Sequence, residues 1–271
     1  MSTEGSLPRT TLPIGLAGPA VWVGYVAQGG VALAADPLGP HARTILLEIC
    51  LAAPALMALF SFAIPLRDGL ALHPVTIRAF LKTLLAGGAL WTCAIGLSVV
   101  QSILWAAPAG HAELFGEFWN AMTPRGPGEA LLSLATVALV PAVCEELLFR
   151  GVLLPALLTR QRATAAILVS AALFGALHVA PTSDGGVTLY QVPQALLVGV
   201  ALGVLRVRSG SLLPGILAHT LYNATTFTLV MLADSDPSLG VSLAMLLVGG
   251  AVLVLALRRF GVTPPLLESK P

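Results

Sequence analysis

Charge is the scarcest property of this chain. Charged residues are 10% of its 271 positions, against about 25% in a typical soluble domain. Hydrophobic residues make up 56%, and the mean hydropathy is +0.90. So little charge cannot clothe a water-exposed surface, so the bilayer is the solvent this chain needs. A net charge of +1 excludes the basic field that would attract nucleic acid. Cysteine is scarce too. Cys50, Cys93 and Cys144 lie in apolar runs without a CxxC pair, and they are read as buried free thiols. No basic cluster precedes the first apolar run, which begins near Pro13, so that run is read as a retained span and not a signal peptide. Lysine accounts for only two of the fourteen basic residues. With the abundant alanine and glycine, this suggests a GC-rich bacterial genome and a bacterial inner or cell membrane. No internal repeat and no soluble domain is visible.

Crossing the hydrocarbon core takes about 20 apolar residues in a helix. Eight runs qualify, at Pro13–Ala35, Thr44–Leu66, Ile77–Ala107, Gly128–Leu158, Ala163–Val179, Val187–Leu205, Leu212–Leu232 and Leu239–Leu257. The expected fold is all-α and polytopic, with about eight transmembrane helices. Turn and charge signals separate the runs, among them Asp36-Pro37, Arg67-Asp68-Gly69, Asp184-Gly185-Gly186 and Asp234 to Pro237. Eight spans put both termini and the even loops on one side. That side collects Arg9, Arg67, Arg78, Lys82, Arg160, Arg162, Arg206, Arg208, Arg258, Arg259 and Lys270, whereas the other holds Arg43 and Arg125. The positive-inside rule then places both termini in the cytoplasm. The expected organisation is three helices over 1–127, a four-helix core over 128–232, and a last helix with its tail over 233–271.

Ionisable groups inside a span are costly and mark function. Glu48, near the outer end of the second run, is read as structural. The others are Glu145, Glu146 and Arg150 in the fourth run, His178 in the fifth, and His219 with Asn223 in the seventh. Glu146 and Arg150 stand four residues apart on one helix face, with the glutamate on the favourable N-terminal side. Glu145 lies about 100° around the helix, and its own fourth neighbour is Phe149, so it has no partner within its helix. Phe174 and His178 share the four-residue spacing, and so do His219 and Asn223. At 1.5 Å per residue from the cytoplasmic ends, Glu145 lies roughly 20 Å deep, His178 roughly 22 Å, and His219 and Asn223 roughly 10 and 16 Å. Three helices thus bring polar groups to comparable depths.

No serine or cysteine sits in a nucleophile motif, no His-Glu-x-x-His helix is present, and no paired aspartates suggest an aspartyl protease. A carboxylate, two histidines and an amide remain, a set suited to water attack on a carbonyl. Glu145 with His178 would activate the water. His219 and Asn223 would stabilise the oxyanion, where one preorganised donor is worth about 3–4 kcal/mol. Two other readings stay open at this point. His178, His219 and a glutamate could hold a catalytic zinc, or buried carboxylates could serve a transporter, scaffold or immunity protein.

Glu145-Glu146-Leu147-Leu148-Phe149-Arg150-Gly151 resembles the EExxxR motif, with its FRG ending, of the CAAX-processing and bacteriocin-processing (CPBP, or Abi) intramembrane glutamate peptidases. Phe174 to His178 resembles that family's FxxxH, His219 to Asn223 its HxxxN, and Gly210 to Pro214 the segment leading to it. The resemblance covers about 100 residues. It implies an eight-helix fold, a site reached from the cytoplasm or from lipid, and a water-activating role at Glu145 aided by His178. It further implies an oxyanion site at His219 and Asn223, support from Glu146 and Arg150, and packing by Phe149 and Phe174 around the substrate. No metal and no cofactor is expected. The expected partner is a membrane-associated peptide or lipidated protein tail: a prenylated CAAX-type terminus, a bacteriocin-like peptide or a C-terminal sorting segment. Reporter domains fused to either terminus should both signal from the cytoplasmic side, and a periplasmic signal from either would break the eight-span arrangement.

Overall fold

A computed structural model describes residues 11–34, 38–105, 107–108, 111–181, 187–232 and 237–260. Eight long helices occupy the expected runs. They are α1 (Ile14–Ala34), α2 (Pro40–Ser61), α4 (Ile77–Leu104), α6 (Pro127–Leu158), α7 (Ala163–Ala176), α8 (Val192–Ser209), α9 (Leu213–Leu232) and α10 (Leu239–Arg258). Two short helices, α3 (Leu66–Gly69) and α5 (His111–Met122), fall where the hydropathy pattern marked only connections. A two-residue antiparallel pair, Ala180–Pro181 with Val187–Thr188, is the one strand pairing among the described residues. This is an all-α polytopic membrane fold. By length and composition, α2, α4, α6, α8 and α10 are each sufficient to cross a bilayer, and α7 is apolar but shorter.

Several ends differ from the hydropathy reading. α2 starts at Pro40 and stops at Ser61, ahead of Pro65. α7 stops at Ala176 and not Val179, because its last N–H groups tighten into bonds to carbonyls three residues back. His178 therefore lies just beyond the helix. The sixth apolar run begins as strand at Val187, and its helix starts only at Val192, where Pro193 suits the first turn. At its far end α8 runs on to Ser209 and closes on Gly210, which takes φ +68°. Arg206, counted above among the loop charges, is thus helical and buried. Cys93 and Cys144 are buried free thiols as expected, but Cys50 is only half-buried. The Asp36-Pro37, Asp184-Gly185-Gly186 and Asp234–Asp236 breaks, together with Arg9 and Lys270, lie outside the described residues.

The helix α6 is not uniform. Two π-helical stretches, Ala135–Leu139 and Leu147–Leu153, flank the α-helical Val140–Glu146. Pro141 and Pro155 sit just beyond these stretches and have no N–H to give to the helix ladder. π turns of this kind gather at functional sites, and here they bracket both glutamates.

Close helix contacts fix the frame. α4 packs most extensively against α10. A Cβ at Gly96 would stand 2.5 Å from the Leu246 nitrogen and the Ser242 oxygen, so only glycine allows this approach. Lys82 Nζ donates to the Arg259 carbonyl at 2.7 Å, and Arg208 Nη1 donates to those of Leu257 and Arg258 at 3.3 and 3.1 Å. The start of α4 and the ends of α8 and α10 therefore meet on one side, the side that carries most of the basic residues. Gly96→Ala should lower stability by about 1–3 kcal/mol through backbone overpacking, read as an earlier thermal midpoint in detergent. Gly88→Ala, at a position on the same helix with nothing within 4 Å, should leave the midpoint in place.

Candidate active site

The site forms where α6, α7, α8 and α9 meet. At its base is an ion pair with no exposure on either side. Arg150 Nη1 donates to Glu146 Oε1 at 2.7 Å, across the four-residue spacing read from the sequence. The guanidinium is held further by Nη2, which donates to the Gly199 carbonyl of α8 at 2.9 Å. Its carbon lies 4.6 Å from the centre of the Phe174 ring and 5.9 Å from that of Phe149, both cation–π distances. Gly199 allows this because a Cβ there would sit 3.0 Å from Ala171, so α8 can lie directly on α7.

Arg206 adds a bond that the sequence did not reveal. Its Nε donates to the Arg150 carbonyl at 3.2 Å. The reason lies in the π stretch. A π turn pairs each residue with the one five earlier, and Pro155, five residues after Arg150, has no proton to offer. The freed carbonyl takes one from Arg206 instead. Ser170 Oγ donates to the Phe149 carbonyl at 3.4 Å, beside the Leu154 N–H that the same carbonyl accepts.

His219, on α9, faces both glutamates. Its Nε2 lies 3.6 Å from Glu145 Oε2, and its Nδ1 lies 3.3 Å from Glu146 Oε1. Gly215, one turn earlier, makes room for the second glutamate, since a Cβ there would stand 2.8 Å from Glu146 Oε2. Glu145, Glu146 and His219 are all buried. Glu145 therefore has its contact from another helix, as its lack of an intrahelical partner implied. Glu146 is shared between Arg150 and His219.

His178 joins the group through Phe174. Its Nδ1 lies 3.1 Å from the Phe174 carbonyl, which can only accept, so Nδ1 carries the proton and the neutral ring keeps its lone pair at Nε2. The Phe174 ring is 5.1 Å from that of His178 and 5.9 Å from that of His219, touching both histidines. Phe149 meets Phe174 edge-on at 5.3 Å. Asn223 is half-buried one turn beyond His219 on α9. Among the described residues, no three of His, Cys, Asp or Glu are grouped to hold a metal ion.

α1 and α2, which showed no readable motif, close the site from the other side. The Tyr25 hydroxyl donates to the Leu173 carbonyl of α7, and its ring lies 6.5 Å from Phe149. A tyrosine in a largely apolar helix is the available signal.

Residues 127–225 match the Rce1-like family, described as type II CAAX prenyl endopeptidase Rce1-like. No curated protein and no solved structure matches the chain. The matched segment begins at the first residue of α6 and ends two residues after Asn223, so it contains every residue named above except Tyr25. That segment is similar to a family of CAAX-type membrane proteases. Arg150→Met should cost about 3–5 kcal/mol in thermal unfolding, because it leaves Glu146 buried and uncompensated. The double variant Glu146→Gln/Arg150→Met should unfold at a higher temperature than Arg150→Met alone, since no unpaired charge remains.

Proposed function

We propose that this chain is an intramembrane endopeptidase whose water is activated by Glu145. The observation that carries the reading is the division of labour between the two glutamates. Arg150 engages Glu146 at 2.7 Å, while Glu145, among the described residues, has the longer 3.6 Å approach of His219. A carboxylate without a tight ion pair keeps its basicity for a substrate water, and water-poor surroundings strengthen every charge in the reaction.

In this reading Glu145 takes one proton as the water oxygen attacks the scissile carbonyl. His178 presents the Nε2 lone pair that orients the same water. The carbonyl oxygen becomes an oxyanion and accepts hydrogen bonds from the Asn223 amide and from His219, which also steadies Glu145. Collapse of the tetrahedral intermediate breaks the C–N bond, and the proton held by Glu145 passes to the leaving amine. Glu146 and Arg150 hold the frame, and Phe149 and Phe174 wall the site. The family's description supports a prenylated tail as the substrate, and the loop charges support both termini of the enzyme lying in the cytoplasm.

The test is cleavage of a farnesylated peptide tail by the purified chain in lipid nanodiscs. Glu145→Ala should lower kcat by about a hundredfold or more, the scale of a lost general base, with folding unchanged by thermal scan. Cleavage by that variant at the wild-type rate would sink the mechanism. Activity lost to a chelator and restored by zinc would favour the metal reading instead.

A further inference from the structure

Glu48 of α2 takes no part in the mechanism above, yet its position is unusual. It is buried, and its Oε2 makes no hydrogen bond among the described residues. It lies on the inward stripe of α2 with Leu51, Ala52, Ala55 and Leu59. Two contacts set the register of this stripe along α6. His41 Nδ1 lies 3.2 Å from Thr136 Oγ1. Ten residues later, the Leu51 carbonyl lies against Gly24, whose neighbour Tyr25 stacks near Phe149. Moving from His41 to Leu51 along α2 thus moves from Thr136 to about Phe149 along α6, and Glu48 falls at the level of Cys144 and Glu145.

The other titratable or charged groups on the elements packed against α2 are few. α1 supplies Tyr25. α6 supplies Cys144, Glu145, Glu146 and Arg150, with Glu129 exposed near its start, and α5 supplies Glu117, also exposed, together with His111 and Glu113, whose side chains lie outside the described residues. The one buried cation in this set, Arg150, is committed to Glu146 and Gly199. An ionised Glu48 would therefore stand level with Glu145 with no uncommitted buried cation among the described side chains of these elements, and two neighbouring carboxylates do not both ionise in a dry site. A neutral acid, in contrast, has an O–H to donate.

Resting on Glu145 as the base, we propose that Glu48 is its positioning residue: a neutral acid that donates its O–H to the Glu145 carboxylate and keeps it aimed at the reacting water. Glutamine can make the same donation, and alanine cannot. With the farnesylated tail peptide, Glu48→Gln should keep kcat within about threefold of wild type. Glu48→Ala should lower kcat by about tenfold to a hundredfold, the scale of one hydrogen bond to a charged group, with KM within about twofold. A second measurement needs no substrate: the infrared band of a protonated carboxylic acid should be present in the wild-type chain and lost in Glu48→Gln. Wild-type kcat in Glu48→Ala, a Gln variant as impaired as the Ala variant, or an infrared band that survives Glu48→Gln would each overturn the proposal. Glu145→Ala run in parallel separates the two readings. If it is inactive, failure of the Glu48 outcomes counts against Glu48 alone; if it is active, both fall.

Discussion

Everything at the centre of this molecule depends on one buried ion pair, Glu146 with Arg150. Neither side chain touches solvent. Two charges withdrawn from water survive only when further polar groups complete their coordination, and the fold supplies those groups from separate helices. The Gly199 carbonyl comes from α8, the approach of His219 from α9, and aromatic faces from α6 and α7. Glycines stand where a side chain would block these approaches, at Gly199 against α7 and at Gly215 against the Glu146 carboxylate. The packing of four helices is thus written around one guanidinium.

That arrangement is also what separates the two adjacent glutamates. Neighbours in sequence point about 100° apart on a helix, so Glu146 turns toward Arg150 while Glu145 turns away from it, toward His219. The same peptide segment therefore carries a structural carboxylate and a chemically available one. Phe174 adds to the separation by touching both histidines while its carbonyl fixes the proton on His178.

Much of this was legible in the sequence. The apolar runs mark the helices, five of them long and apolar enough to cross a membrane, and the four-residue spacing of Glu146 and Arg150 translates directly into a contact, because helix geometry leaves little freedom at that spacing. What escaped was whatever depends on departures from a regular helix or on which face a residue presents. Hydropathy does not register a π turn, so the freed carbonyl of Arg150 was invisible, and with it the reason Arg206 is buried and not in a loop. His178 was placed inside a span, although α7 tightens and ends before it. The second run starts at Thr44 by hydropathy and α2 at Pro40, so Glu48 lies deeper along the helix than the run suggests, and Tyr25 carries no motif at all. In each case the missing information was tertiary: which carbonyl is free, and which helix lies opposite.

The bonds between α6 and α8 run in both directions. Arg150 of α6 donates to a carbonyl of α8 at Gly199, and Arg206 of α8 donates to the carbonyl of that same Arg150. Donors and acceptors alternate between the two helices like a double latch. Sliding either helix by a turn would break both bonds at once, leaving Arg150 with only its pair on its own helix and taking from Arg206 its carbonyl on α6. The pair therefore behaves mechanically as a single beam.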